Sequence, residues 1–149
     1  MLIDNKKISS KLNNLLEKNY DAESGFKKAA ENTDINPLKT YFNRKSEQSR
    51  DFGHQLKTEI KALGYTPEKG GSVTGDLHKT WMDIKSFFTS DNEESMLQEA
   101  IRGEEAMLSE YEDVLSDTLL PVSIVTILNI QKNTIQKDLD RIKRLESIS

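Results

Sequence analysis

The chain is 149 residues long, 35% apolar and 31% charged, with a net charge of −4, which makes one well-solvated domain over 1–149 with a modest core. A nucleic-acid binder would carry a basic excess, so nucleic acid is not an expected partner. There is no cysteine, which excludes disulfides, thiolate metal sites and thiol nucleophiles.

The chain begins "MLIDNKKISS", with no long apolar run behind its charges, so a signal peptide is not expected. No apolar run approaches the roughly 20 residues that span a bilayer. A cytoplasmic protein without membrane contact is the expectation. Helical periodicity dominates from there on. A first helix over about 4–32 carries Ile8, Leu12, Leu15, Ala22, Phe26 and Ala29 at helical spacing. The pairs Lys6-Lys7 and Lys27-Lys28 read as solvated helix surface. Asn36 followed by Pro37 is a start signal, since Asn can cap free N–H groups and Pro suits the first turn. The second helix, over about 37–63, buries Leu38, Tyr41, Phe42, Phe52, Leu56, Ile60 and Leu63. Gly64 ends it.

"GYTPEKGGSVTG" is the stretch richest in turn residues. A short helix over about 76–88 follows, with Leu77, Trp81, Ile84 and Phe88 apolar and Asp76 at its start. "GGSVTGDLHK" lacks the spacing of a phosphate loop and a strand before it, so His78 and Trp81 are expected to pack on the bundle instead. Asp91 or Asn92 can cap the third helix, over about 93–117, which turns Leu97, Ala100, Ile101, Met107, Leu108, Tyr111 and Leu115 inward. Pro121 opens the fourth, over about 121–146, which buries Ile124, Val125, Leu128, Ile135, Leu139 and Ile142. Short connections make antiparallel hairpins of the first pair and of the last pair. The middle connection, about 28 residues, is long enough to run back along a helix of about 40 Å. The fold class predicted is all-α: a ferritin-like up-down four-helix bundle with a long crossover carrying a short extra helix.

"RDFGHQL" places Asp51 and His54 three apart, half of a di-iron motif in such bundles. At about 100° per residue, His54 lies almost opposite the apolar stripe and Asp51 well off it, so both face solvent. The same wheel sets other polar residues inside the stripes: Asn19, with Glu23 on the border; Lys45, Gln48 and Ser49; Glu104; and Gln131. Counted from the hairpin turns, Asn19, Gln48, Glu104 and Gln131 fall near one level. A single buried polar layer is therefore expected, with an ionised Glu104 held by Lys45 and by the amides of Asn19, Gln48 and Gln131. The Tyr111 hydroxyl is expected to join it. Amides and a lysine are poor substitutes for the carboxylates and histidines of a di-iron site.

The segments "LNNLLEKNYDAESGFKKAAE", "ALGYTPEKGGSVTGDLHKTWMDIK" and "IRGEEAMLSEYEDVL" make the chain resemble a bacterial ferritin-like four-helix-bundle family classed as a domain of unknown function. The most specific piece is Gly-Ser-x-x-Gly-x-x-His-x-x-Trp, Gly71 to Trp81; the next is "RGEE" before Tyr111. The resemblance implies the ferritin-like bundle, bacterial origin and no agreed activity. It also implies a histidine near the end of the fourth helix in many members, where this chain has Leu139. Two function classes follow. One is a non-catalytic bundle without a cofactor, with room for a homodimer. The other is a protein binding iron or another divalent metal, or an oxidase, on Glu104 and Glu23 aided by Asp21. No motif identifies a small-molecule ligand.

Overall fold

The structure is a computed structural model that describes residues 4–68 and 93–148. The expected helix over 76–88, with His78 and Trp81, lies outside the described residues, as do the caps at Asp91 and Asn92. Among the described residues four helices form: α1 Asn5–Glu31, α2 Asn36–Ala62, α3 Glu93–Leu115 and α4 Val122–Ile148. Their ends differ from the periodicity by one or two residues, the usual scatter of helix termini. No helix among the described residues is long and apolar enough to cross a membrane.

Each terminus has a local cause. Asp4 caps α1, its carboxylate accepting from the Lys7 N–H at 3.0 Å. The expected Asn36 cap does not form: Asn36 is already the first helical residue, and Ile35 stands at the cap with no side-chain bond. Ile35 packs against the core and its N–H donates to the Thr33 hydroxyl at 3.2 Å, so packing and a local turn set this entry. α2 ends in a Schellman motif, with Gly64 N–H on Lys61 C=O and Tyr65 N–H on Ile60 C=O. Gly64 has φ +88°, a conformation that costs a side-chain-bearing residue energy, although space around it is open. Beyond it the chain is tied to α1, where Asn13 accepts from Glu68 N–H at 2.8 Å and the Tyr20 hydroxyl donates to Glu68 C=O at 3.2 Å.

α1 and α2 form one hairpin and α3 and α4 the other. α1 also lies beside α3, and α2 beside α4. Lys11 meets Asp117 and Asn19 meets Tyr111, so α1 and α3 run antiparallel. Lys45 meets Asp138 and Gln131 meets Phe52, so α2 and α4 do too. The seam between α1 and α2 is close: a Cβ on Gly53 would lie 3.4 Å from Leu16 Cδ1.

One apolar core runs through all four helices, from Ile8, Ile60 and Ile124 at one end to Ala29, Met96 and Ile142 at the other. In its α1–α2 half Phe42 stacks on Phe26, with centroids 6.1 Å apart, and takes the edge of Tyr41 at 5.6 Å. Phe42 is fully buried. Phe42→Ala is expected to destabilise the fold by about 3–5 kcal/mol, the transfer loss plus an unfilled cavity, measured as a lowered urea midpoint at unchanged slope.

Candidate functional site

Two layers of polar residues cross the bundle interior. α2 supplies Tyr41, Arg44, Lys45 and Gln48, at spacings of three, four and seven that keep them on one face. Lys45 Nζ lies 2.7 Å from Glu104 Oε1 of α3 and 3.1 Å from Asp138 Oδ2 of α4. With its amide turned to satisfy both ends, Gln48 accepts from the same ammonium at 2.8 Å and donates to Asp138 at 3.1 Å. The three N–H donors of the ammonium thus meet three oxygens. Its remaining side faces the Phe26 ring, 5.8 Å from the centroid. The Tyr41 hydroxyl donates to Glu104 at 3.2 Å, and Arg44 binds the other Asp138 oxygen at 3.1 Å while lying over the Tyr41 ring at 5.4 Å. The ring Tyr41–Glu104–Lys45–Asp138–Arg44 closes on itself and balances two anions with two cations.

The second layer is neutral. The Tyr111 hydroxyl donates to Gln131 Oε1 at 2.6 Å and accepts from Asn19 Nδ2 at 3.1 Å. Asn19 also donates to Leu15 C=O, and Gln131 donates to Phe52 C=O and to Gln55. Seven residues, or about 10 Å of helix, separate Glu104 from Tyr111 and Gln131 from Asp138. The expected single layer is therefore split, and the amides of Asn19 and Gln131 do not reach Glu104. The cause is a stagger in the second hairpin. Tyr111 lies four residues before the end of α3, yet its partner Gln131 lies nine residues into α4. Counting from the turn assigns equal heights to residues that are offset by roughly 7 Å.

A void with about 20 Å³ of space for water centres adjoins both layers, and Asn19, Lys45, Gln48, Ser49 and Glu104 form its polar wall. That suits one or two waters and is far below the volume a drug-sized ligand needs. Ser49 is 6% exposed, and its hydroxyl has no hydrogen-bond partner among the described residues. Glu23 and Asp21 are half-buried on α1; Glu23 contributes its backbone carbonyl, which accepts from the Ser46 hydroxyl at 2.8 Å. Among the described residues no three carboxylate or imidazole side chains converge, so Glu104, Glu23 and Asp21 are not gathered into one ligand set. Asp51 and His54 are exposed.

A model for a domain of unknown function, DUF2383, matches residues 7–117, the stretch from α1 to the end of α3. The chain belongs to this family. Among curated proteins none matches it. In this DUF2383 chain α4, with Gln131 and Asp138, lies beyond the matched stretch, although it completes both polar layers.

Sequence reasoning missed Asp138, Tyr41 and Arg44. Asp138 stands seven residues after Gln131 and four before Ile142, so the stripe's own spacing could have found it. Tyr41 belongs to the apolar face by its ring, but its hydroxyl reaches the carboxylate. A further ion pair, buried Lys18 with Glu110, ties α1 to α3.

Burial raises the pKa of Glu104, opposed by Lys45. Burial acts the same way on Asp138, but Lys45 and Arg44 outweigh it and hold this carboxyl below its ordinary value. Burial also pushes Tyr41 far up, with Glu104 and Asp138 adding to it, so the phenol stays a donor.

Lys45→Met is expected to cost about 3–5 kcal/mol, because it leaves the buried Glu104 carboxylate without a cation beside Asp138, which keeps only Arg44. A double-mutant cycle with Glu104→Gln is expected to show coupling well above the scatter for distant sites. For the pH dependence the two carboxyls act in opposite senses. Asp138, lowered in the folded state, stabilises above the ordinary aspartate value and loses this as pH falls through its own value; Glu104, raised, loses its contribution as pH rises. Asp138→Asn is therefore expected to lower Tm at neutral pH, with the gap to the parent protein narrowing below pH 3.8 in a thermal melt series.

Proposed function

We propose that this DUF2383 protein is a ferritin-like, non-catalytic helical bundle in which an internal ion-pair ring fills the position and the electrostatic role of a dinuclear metal centre. The observation that carries this reading is the Lys45 ammonium between Glu104 and Asp138, at 2.7 and 3.1 Å. Ferritin-like carboxylate proteins build their metal sites in the bundle core from inward carboxylates and Glu-x-x-His pairs on facing helices. Here the core carboxylates are neutralised by a lysine and an arginine of the same protein.

The topology supports the ferritin-like part. α1 is antiparallel to α2 and to α3, so α2 and α3 share a direction, as a one-crossover bundle requires. The long connection between them supplies the length. A bacterial, cytoplasmic protein belongs to the same reading. The non-catalytic part rests on occupancy. Each polar hydrogen of the Lys45 ammonium is committed, the Tyr41 hydroxyl is held by Glu104, and the adjoining void is water-sized. An acid, base or nucleophile has to reach its substrate, and none of these groups has room to do so.

The test is metal analysis of the purified protein with an iron(II) titration. The expected result is no stoichiometric iron, and a Glu104→Gln variant that loses stability without a change in metal content. Two iron ions per chain that disappear with Glu104→Gln would overturn the reading in favour of a metal-dependent bundle.

A further inference from the structure

The surroundings of Lys45 Nζ resemble the coordination of a cation more than an ordinary salt bridge. The oxygens come from Glu104, Asp138 and Gln48, on three different helices, at 2.7–3.1 Å. Lys45 and Glu104 are 2% and 3% exposed. Next to this cage the void brings a buried Ser49 hydroxyl that has no hydrogen-bond partner among the described residues, and space for one or two waters. Two carboxylates, an amide oxygen, a hydroxyl and water are the donors a hard divalent ion prefers. No imidazole belongs to the set, and the one sulfur on the void's wall is the weakly donating thioether of Met107.

We infer that the Lys45 ammonium occupies a latent mononuclear cation site, formed by Glu104, Asp138 and Gln48, that takes a hard divalent ion once the ammonium is removed. The inference rests on the ion-pair reading above and goes beyond it, since it assigns the carboxylates a ligand rather than only a lost one. With the ammonium present a dication is repelled at close range. Without it the two carboxylates repel each other, and a dication relieves that repulsion while completing its shell with water from the void. Arg44 contacts only the Asp138 oxygen that Lys45 does not use, so it leaves the inward oxygen available.

The experiment titrates Lys45→Ala with Mn2+, read by bound metal per chain and by Tm. The expected result is one Mn2+ per chain and a Tm that climbs with each tenfold step in Mn2+, with neither effect in the parent protein. Placing Glu104→Gln or Asp138→Asn in the Lys45→Ala background is expected to abolish both. Metal uptake that survives those second substitutions lies elsewhere and overturns the inference. So does a folded Lys45→Ala that ignores Mn2+, or one stabilised by methylammonium and not by Mn2+. If Lys45→Ala does not fold alone, recovery of helical circular dichroism on adding Mn2+ supports the site, and no recovery overturns it. Stoichiometric metal in the parent protein would strike the preceding reading, whereas a metal-free parent with an inert Lys45→Ala strikes this one alone.

Discussion

Lys45 binds three helices at once. Its own α2 supplies the ammonium, α3 supplies Glu104 and α4 supplies Asp138, and all of these groups are nearly dry. In such surroundings an unpaired charge costs several kcal/mol, while a set in which every donor meets an acceptor is tolerated. This sets the geometry of the bundle. The two hairpins touch mainly through α1–α3 and α2–α4, and the ionic ring lies at that junction. A shift of one hairpin along the other by a single turn would move Glu104 or Asp138 about 5 Å from the ammonium. The ring therefore specifies register more than it adds net stability, which is the best-attested use of buried polar groups.

The neutral layer constrains the same junction from the other side. Tyr111 accepts from α1 and donates to α4, and Gln131 continues to the backbone and side chains of α2. α2, α3 and α4 are thus joined by polar contacts at two heights about 10 Å apart, while α1 enters the neutral layer through Asn19 and meets the ionic one through the Phe26 ring. Two fixed points on rigid rods determine tilt as well as axial position, which a single layer would leave free. The apolar residues around and between these layers, Phe26, Phe42 and Phe52 among them, supply the burial that drives assembly but are far less selective about offset.

The ring also accounts for the opposite behaviour of its two carboxyls. Asp138 is gripped by two cations, Lys45 and Arg44, so it ionises readily although it is buried. Glu104 is deeper, shares its one cation and takes a neutral donor from Tyr41, and burial dominates it. Chemically alike groups a few ångströms from one ammonium are driven apart by the second cation that only Asp138 has.

For the four described helices, residue spacing alone marks the helical stretches to within two residues and the apolar side of each. Spacings of three, four and seven in α1 to α4 mark Leu12, Leu56, Leu108 and Leu128 as interior, and mark Asn19, Lys45, Glu104 and Gln131 as polar intrusions among them. The same wheel turned Asp51 and His54 outward, and Gly64 announced the end of α2 because only a positive φ closes its Schellman turn. Tertiary structure alone decided which intrusion meets which. Periodicity gives the angle of a side chain about its own axis but says nothing of how far one axis slides along another. Hydrogen bonds and ion pairs tolerate errors well under 1 Å, while the stagger of α4 against α3 is several times larger. That stagger handed Glu104 to Lys45 and Tyr41, gave Asn19 and Gln131 to Tyr111, and made a buried anion of Asp138.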